Sequence, residues 1–497
     1  MSLAVLISAQ TCSSFVIIAL QILYTLKCAS ISHQEQIVFP ELIEERDDGA
    51  AKVLKINEDL TLNLEKSSVL AEEFLLRTYD GPVMQHSYLD GEVLEKDLYH
   101  DTRYLSSLMV SQGNGLQVEG VLGPMLGIKP LMANARTEKG RIAHVLFEIP
   151  PEMERGNEGV FTHASFNISE RQEKQDNAKI VIRPEIIVAA DSAFYRQFND
   201  HLKLLRYMTI SMNSVNIRYW TIKNPRVQLR LCALEVFSEH EETFLYKVDK
   251  YVASGMSIQR IKEHVQHYHQ RYTDYDAVYF VTGLDIARFK GYSWDTLQQG
   301  LAYVGGACTP QKVALGEDKA HTYKGVRIFA HEMGHLLGCP HDGEKHKQFT
   351  SESCPWNHGF IMSYIEHNSN SLKFSTCCNN MIHQHVNSVE GRCLLIQNTR
   401  RKIKKTNFTR DLAGDHIGRD EYCKLTFPEY LGTYVLPDND IGRCHVCCYM
   451  PDDITPLGYK KAFLPDNSRC NESGGTVCIN GDCVSERPKY VQYQPTK

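Results

Sequence analysis

The sequence predicts a mixed α/β sheet domain in the chain's second half, with a cysteine-free segment before it and a small disulfide-rich module after it. Strands alternate with helices from Ile180 onward, which is the pattern of a mixed sheet covered by helices. No cysteine occurs from residue 29 to 231, whereas 14 of the 16 cysteines run from Cys232 to Cys483. The chain has 497 residues, more than one ordinary domain, so several segments with separate roles are expected.

Composition and charge narrow the class of protein. Apolar residues make up 42% of the chain and charged residues 23%, which is typical of a globular protein with a buried core. The net charge is −6 and the isoelectric point is near 6.4, so there is no electrostatic case for binding nucleic acid.

Residues 1–30 are predicted to be a signal peptide. An apolar run, Phe15–Leu26, precedes small residues at which a signal peptidase could cut, near Ser30 or Ala29. The alternative is an uncleaved signal anchor, since Met1–Ile7 is also apolar. No other segment could span a membrane, so we expect a secreted protein without stable membrane insertion. Acceptor sequons for glycosylation agree with export; they are Asn167, Asn407 and Asn471.

Residues 31–177 are predicted to be a propeptide. This segment lacks cysteine and ends in a polar stretch, Ser169–Lys179, that is typical of an exposed linker. Within it, Arg171–Lys174 is a candidate processing site.

Residues 178–398 are predicted to be the mixed-sheet domain. The hydrophobic patterns predict its elements in chain order: strand Ile180–Ala190, helix Ser192–Met212, strand Val227–Phe237, helix Ile258–Tyr272 and strand Ala277–Thr282. The histidines of the second helix, at 264, 267 and 269, are expected to be solvated, because no acidic residue or helix-ending glycine accompanies them.

The carboxyl-terminal part is predicted to be a basic linker, 399–410, followed by a cysteine-rich module and tail, 411–497. Five basic residues lie within Thr399–Thr406. They suit a solvated linker, a processing site or a patch for acidic glycans. The module holds seven cysteines among turn-forming residues, which is typical of a fold held together by disulfides.

Residues 331–342 read H-E-M-G-H-L-L-G-C-P-H-D. His331 and His335 are four residues apart, so on a helix both imidazoles project from one face and can reach one ion. Gly338 can adopt the left-handed conformation that ends the helix and returns His341 as a third ligand. Three protein ligands leave one coordination position open, as in a catalytic zinc site. Glu332 then lies where its carboxylate can act as general base on an attacking water.

This motif resembles that of the metzincins, and Asp342 directly after the third histidine resembles the reprolysin (adamalysin) branch with the ADAM and ADAM-TS proteases. Met362 in Gly359–Tyr364 resembles the family's Met-turn, whose methionine packs beneath the metal. In layout the chain is most similar to salivary metalloproteases of ticks. Other matching segments are Pro184–Asp191, Asp276–Thr282, Gly300–Cys308, Phe374–Cys377 and Gly391–Leu394, together with propeptide residues 101–150 and module residues Thr476–Val484.

The resemblance implies a zinc endopeptidase that binds substrate as an extended strand beside the strand after Cys308. Tyr364 follows Met362 by two residues, where astacins and serralysins carry a tyrosine that can reach the metal. Packing in the wall of the site and donation to the transition state are both open roles for it. The propeptide has no cysteine, so latency by a thiolate on zinc is excluded.

The family's calcium site is matched only in part. Glu185, Asp276 and the carbonyl of Cys393 fit the resemblance, but Ile396 stands where the family has asparagine. Asn398 is the candidate replacement.

Seven cysteines lie in 232–393 and seven in 423–483, so each part has an odd number. The parity requires either a disulfide between the parts, which we expect, or a thiol in each. The resemblance implies a Cys308–Cys393 disulfide. It also implies that four further cysteines brace the zinc loop and the Met-turn: Cys339, Cys354, Cys377 and Cys378.

The predicted function is a secreted, monomeric zinc metalloendopeptidase that hydrolyses extracellular proteins. Resemblance to salivary and venom relatives implies host matrix or clotting proteins such as fibrinogen as substrates. The rival prediction is an adhesive or toxin-like protein in which the cysteine-rich module acts and the protease is dispensable.

Overall fold

The computed structural model of the chain describes 15 ranges between residues 36 and 485. They are 36–46, 50–81, 83–131, 141–150, 180–346, 349–366, 368–399, 418–427, 430, 432–437, 444–450, 458–464, 468–471, 475–479 and 482–485. Several predicted features lie outside these ranges: the signal peptide 1–30, the processing run Arg171–Lys174, basic residues 400–405, and the sequons at Asn167 and Asn407.

The amino-terminal part forms an antiparallel sheet of nine strands, in the order β1-β11-β10-β9-β8-β7-β4-β3-β2. Apolar residues alternate along Thr61–Lys66, where Leu62 and Leu64 are buried between exposed neighbours, as expected for a strand with one covered face. The elements are β1 (Gln36–Val38), β2 (Glu41–Glu45), β3 (Ala51–Lys55), β4 (Thr61–Lys66), β5 (Leu70–Asp80), β6 (Val83–Asp90), α1 (Gly91–Leu94), β7 (Leu98–Asp101), β8 (Ser106–Ser111), β9 (Gln117–Gly123), β10 (Leu126–Pro130) and β11 (His144–Glu148).

The central part, 180–399, contains a mixed sheet with helices on both faces. Its strands are β12 (Val181–Ile182), β13 (Glu185–Ala190), β14 (Arg226–Val227), β15 (Arg230–Val236), β16 (Lys247–Val248), β17 (Tyr251–Ala253), β18 (Ala277–Thr282), β19 (Asp285–Phe289), β20 (Trp294–Asp295), β21 (Gly300–Ala302), β22 (Val313–Glu317), β23 (Lys345–His346) and β24 (Phe349–Thr350). Its helices are α2 (Ser192–Arg196), α3 (His201–Tyr219), α4 (Ser254–His267), α5 (His269–Tyr272), α6 (Gly325–Leu336) and α7 (Thr376–Asn387), with 3-10 turns at Trp356–His358, Ser369–Leu372 and Glu390–Leu395.

The mixed α/β fold class and the order of the predicted elements are confirmed. The strand Ala277–Thr282 has the predicted bounds. The predicted helix Ser192–Met212 is two helices, because Asn199 adopts a left-handed conformation and Asp200 begins a new helix by accepting from the amides of Leu202 and Lys203.

Strands from both ends of the chain extend the central sheet, including β27 (Thr476–Ile479) and β28 (Asp482–Ser485) of the carboxyl-terminal part. The order of this sheet is β21-β22-β18-β13-β15-β5-β6-β28-β27. The amino-terminal hairpin β5–β6 therefore lies between the protease-like strands and the carboxyl-terminal module. The module's elements are α8 (Arg419–Thr426), β25 (His445–Tyr449), β26 (Tyr459–Phe463), β27 (Thr476–Ile479) and β28 (Asp482–Ser485).

The predicted position of the substrate-binding strand is wrong. The strand after Cys308 is β22, which pairs in parallel with β18 and antiparallel with β21. Both of its edges are already hydrogen-bonded, so it has no free edge for a substrate. Within the part of the chain that the structure describes, the outer strand on this side of the sheet is β21.

Six disulfides form, and none joins the central part to the module among the described residues. Cys308–Cys393 is present as the resemblance implies, and Cys339–Cys378 and Cys354–Cys377 brace the zinc loop and the Met-turn region. The module contains Cys423–Cys448, Cys444–Cys478 and Cys470–Cys483.

The expected disulfide between the two parts is thus wrong. Among the described residues, the two cysteines outside these six disulfides are Cys232 and Cys447, both buried. Cys232 lies within β15, where its sulfur contacts the carbonyl of Arg230 and the hydroxyl of Thr399, whereas Cys447 lies in a strand of the module, His445–Tyr449.

Among the described residues, none of the helices combines the length and the apolar character that crossing a bilayer requires.

Candidate active site

The first two histidines of the motif lie on helix α6, which is buried inside the protein. All of its residues are buried. It packs against α3, where the Tyr219 hydroxyl donates to the carbonyl of Ala330 at 2.9 Å. His331 and His335 lie one turn apart with their ring centres 4.7 Å from each other. The rigid surroundings therefore fix both imidazoles on one side of the helix.

A sharp turn after α6 brings in the third histidine. Gly338 has φ +110°, a conformation that side chains rarely adopt. The Cys339–Cys378 disulfide then ties the turn to α7. The His341 ring centre lies 4.7 Å from that of His335 and 5.3 Å from that of His331. The helix therefore ends just before Gly338, and the turn brings His341 back to the other two histidines, as the motif predicts.

The hydrogen bonds of the rings determine which nitrogens point into the site. Nδ1 of His331 is 2.7 Å from the carbonyl oxygen of Ile361, and Nδ1 of His335 is 2.7 Å from that of Cys339. Because a carbonyl can only accept, each Nδ1 carries the proton and each Nε2 keeps its lone pair.

The third ring is oriented by a side chain. Nδ1 of His341 is 3.3 Å from the carboxylate of Glu344. Because the carboxylate accepts, this contact likewise directs the Nε2 lone pair of His341 into the site.

The three rings have the chemistry of a zinc site. One ligand nitrogen from each histidine lies within 4.8 Å of the others, and the side chains are 2–3% exposed. Nε2 of His331 is buried without a hydrogen-bond partner, which is costly unless a ligand binds there. Burial and the neighbouring His335 and His341 hold the pKa of His331 well below its ordinary value, so it stays in the neutral form that binds metal. These residues fit a zinc ion.

Glu332 lies against the outer strand of the sheet. Its side chain is 4% exposed. A Cβ added to Gly300, the first residue of β21, would lie 2.8 Å from both Cγ and Cδ of Glu332. The absence of a side chain at Gly300 therefore creates the space that the carboxylate occupies.

Tyr364 contacts two of the three histidines. Its hydroxyl is 2.8 Å from Nε2 of His341, and its ring stacks on that of His331 with 5.3 Å between centres. Trp356 packs edge-on against both Tyr364 and His341. The tyrosine is thus both a wall of the site and a hydroxyl donor at a candidate ligand atom.

Met362 and Asp342 support the site from below and from the side. A Cβ at Gly334, between the two helical histidines, would lie 2.7 Å from Sδ of Met362, so the methionine packs directly under α6. The Asp342 amide donates to the carbonyl of Met362 at 3.0 Å, and its carboxylate accepts from the Ser375 hydroxyl at 2.6 Å. Burial raises the pKa of Asp342 to about 6.

The four candidate calcium residues also come together. The carboxylate of Asp276 accepts from the Glu185 amide at 2.9 Å and contacts the sulfur of Cys393 at 2.9 Å. The Glu185 carboxylate accepts from the Asn398 amide at 2.7 Å and the Thr399 amide at 2.9 Å. Burial and the nearby Glu185 raise the pKa of Asp276 to about 7. Asn398 thus presents a main-chain donor to Glu185.

Sequence reasoning missed several contributors and misplaced one histidine. Glu344 and Trp356 carry no motif that marks them, and the role of Gly300 depends on a contact between distant segments. His264 was expected to be solvated. It is partly buried among aromatic rings, with Nε2 3.2 Å from the Tyr272 hydroxyl, because its helix packs on the sheet.

A protein-family model matches the central part of the chain. Residues 183–375 match the reprolysin profile of metallo-peptidase family M12. The matched range contains the three histidines and the Met-turn. The chain carries a reprolysin-type metallopeptidase domain of family M12.

The chain is also similar to arthropod proteins. It is 28% identical over 354 residues to an ADAM-TS-like protein of Bombyx mori, covering 66% of this chain and 48% of that relative. It is 25% identical to venom metalloproteinase antarease TserMP_A of Tityus serrulatus, covering 74% of this chain and 95% of that relative. The chain thus spans about half of the first relative and nearly all of the second.

Among solved structures, metalloproteinase-II of Bacteroides fragilis is similar at a TM-score of 0.34 and 9% identity, covering 72% of this chain and 93% of that chain. A similarity this distant carries no argument about the site. The likeness to tick salivary proteases stays a prediction.

Proposed function

We propose that the protein is a secreted zinc metalloendopeptidase in which His331, His335 and His341 hold the metal and Glu332 is the general base. The observation that supports this most directly is the set of three buried imidazoles whose Nε2 lone pairs converge beside a buried carboxylate. The same proposal divides the chain into signal peptide 1–30, propeptide 31–177, protease 178–398, basic linker 399–410 and cysteine-rich module 411–497.

The mechanism follows from what these side chains can do. Bound zinc would supply Lewis acidity, polarising the scissile carbonyl and lowering the pKa of the attacking water to about 7. Glu332 accepts the proton of the attacking water and then delivers it to the leaving amine. The Tyr364 hydroxyl donates a hydrogen bond to the oxyanion as charge develops.

The substrate is proposed to lie along β21 as an additional strand. Among the described residues, Gly300–Ala302 pairs only with β22, so its other side can hydrogen-bond an extended peptide. A substrate on this strand would also lie next to Glu332, whose side chain occupies the space where any residue other than Gly300 would carry a Cβ. An extended substrate favours cleavage within exposed, flexible protein segments.

The proposed substrates are extracellular proteins of a host, with matrix proteins and fibrinogen first. Six disulfides suit an oxidising compartment outside the cytosol. Several relatives are named as venom metalloproteinases, which supports the proposal of a secreted enzyme that acts on foreign tissue.

The proposed activity is tested by digesting fibrinogen and gelatin with the mature protein, with and without a zinc chelator. We expect discrete fragments that are lost on chelation and return when zinc is restored. Cleavage that is unchanged by the chelator would contradict a metal-dependent mechanism.

Replacement of Tyr364 by phenylalanine is expected to lower kcat by roughly tenfold, because a hydrogen bond to a charged group is worth about 1.5 kcal/mol or more. Zinc content should be unchanged, since the ring still packs on His331 and Trp356. Peptide kinetics and metal analysis on the same preparation provide the measurement. An unchanged kcat would mean that Tyr364 packs in the wall of the site and does not donate to the transition state.

A calcium ion at Glu185 and Asp276 is proposed to stabilise the protease. Saturating calcium should raise the Tm of the wild type by roughly 5 °C, because a ligand at a hundredfold its Kd contributes about 2.7 kcal/mol. Asp276→Asn should abolish the calcium-dependent rise. The matched control Asp274→Asn, at an exposed position two residues away, should retain it. If calcium leaves the wild-type Tm unchanged, the site does not bind calcium.

A further inference from the structure

The hairpin β5–β6 of the predicted propeptide is built into the central sheet. Strand β5 runs parallel to β15, with Leu75 beside Ala233, Leu76 beside Leu234 and Arg77 beside Glu235. It occupies the side of the sheet that is remote from β21, since three strands, β22, β18 and β13, lie between β21 and β15. The hairpin therefore completes the protease sheet without standing in the proposed substrate position.

A buried ion pair crosses the boundary between the hairpin and the protease. The Arg77 guanidinium donates to the Glu235 carboxylate at 3.0 Å, and both side chains are at most 1% exposed. The Tyr79 hydroxyl donates to the second carboxylate oxygen at 2.9 Å. Arg271 of the protease lies 3.3 Å from the same oxygen. Loss of the hairpin would remove two of the groups that satisfy a buried carboxylate, which is strongly unfavourable.

Helix α3 packs against other elements on two sides, and one of these elements is the amino-terminal sheet. Fifteen of its 19 residues are buried. A helix that is buried nearly all round needs a partner on each face. The hydroxyl of Ser107 in β8 donates to the carbonyl of Ile210 at 2.9 Å, and the Asn213 amide donates to Ser107 at 3.0 Å. Arg206 pairs with Glu119 of β9 at 2.7 Å.

Close approach of this sheet to α3 depends on Gly120. It has φ +141°, and a Cβ there would lie 3.1 Å from Cγ2 of Ile210. Met109 and Val121 of the amino-terminal part belong to the same hydrophobic cluster as Met208 of α3. The two parts thus share one core.

The carboxyl-terminal module also contacts the hairpin β5–β6. Val484 of β28 pairs with Met84 of β6, and the Ser485 hydroxyl donates to the Gln85 side chain at 2.7 Å. The hairpin is therefore bound on one side by the protease sheet and on the other by the module.

From these contacts we propose that the segment 36–149 is a permanent subunit of the enzyme, which stays bound after the chain is cut between residues 150 and 180. The mature protein is then two chains that share one sheet. The inference uses the proposed division of the chain only for the place of the cut, and it needs no catalytic activity.

The test replaces Arg171–Lys174 by the recognition sequence of a highly specific protease, in the Glu332→Gln background, with an affinity tag at the carboxyl terminus. After complete cleavage, the tagged part is captured and washed under native conditions. We expect the amino-terminal fragment to be captured one-to-one and to be released only by denaturant. Its appearance in the unbound fraction would overturn the proposal, whether or not the protein proves to be a protease.

A matched pair of variants identifies the contact that holds the fragment. Arg77→Met should release most of the fragment after the cut. Arg103→Met should retain it, because Arg103 is exposed and pairs with Asp101 of its own sheet. Retention in the Arg77 variant would refute the role of the buried pair. If that variant fails to fold before the cut, as judged by gel filtration, Glu119→Gln takes its place and should show partial release.

Discussion

Replacing Glu332 by glutamine is expected to lower kcat/KM by about 10²–10⁴-fold, the usual contribution of a positioned general base. Glutamine has nearly the same shape but cannot accept the proton of the attacking water. The three histidines keep their Nδ1 contacts with Ile361, Cys339 and Glu344 in this variant, so zinc content and Tm should be unchanged. The measurement is cleavage of a quenched peptide, with metal analysis of the same sample.

The matched control is Glu344→Gln, a second carboxylate-to-amide change beside the site. The glutamine oxygen can still accept from Nδ1 of His341, and this side chain is 46% exposed. We therefore expect a loss smaller than about tenfold, since exposed pairs of this kind contribute little. Full activity of the Glu332 variant would rule out this residue as the base. The Glu332→Gln variant also distinguishes the proposed enzyme from the rival adhesive or toxin-like protein, because the biological effect of a binding protein would survive the substitution.

Replacing Gly300 by alanine is expected to cost about 10²-fold in kcat/KM, because a displacement near 1 Å of a catalytic group has an effect of that size. The new methyl group would occupy the space of the Glu332 side chain, 2.8 Å from its Cγ and Cδ. The end of a glutamate can rotate away at little cost to the fold, so the loss should appear in kcat and not in Tm.

The control for this prediction is Gly113→Ala, where an added Cβ meets nothing within 4 Å. It should leave kinetics unchanged. If Gly300→Ala is fully active, either the carboxylate relaxes without leaving its working position or Glu332 is not the base. The Glu332→Gln measurement distinguishes these two outcomes.

The sequence predicts the part of the site that is local along the chain. The spacing of His331, His335 and His341 is a property of one helix and one turn, and Gly338 has the positive φ that such a turn requires. Strand Ala277–Thr282 was predictable from a local signal too, because a run of this length that is rich in β-branched and aromatic residues favours a buried strand over a helix.

Contacts between distant segments were not predictable from pattern alone. Gly300 meets Glu332 across 32 positions of sequence, and nothing in the residues around either marks the contact. Arg77 lies 158 positions before Glu235, yet the two form a buried pair. Cysteine parity could not show that Cys232 lies in the middle of a buried strand. Each of these features is set by sheet topology, which periodicity does not specify.

The most direct test of the account is the zinc content of purified, correctly processed protein. The three imidazoles and their fixed tautomers predict one zinc per chain, retained through dialysis, and lost when both His331 and His335 are replaced by alanine. Wild-type protein that is folded, as shown by its Tm, and contains no stoichiometric zinc after reconstitution would contradict the metal centre on which the proposed activity depends.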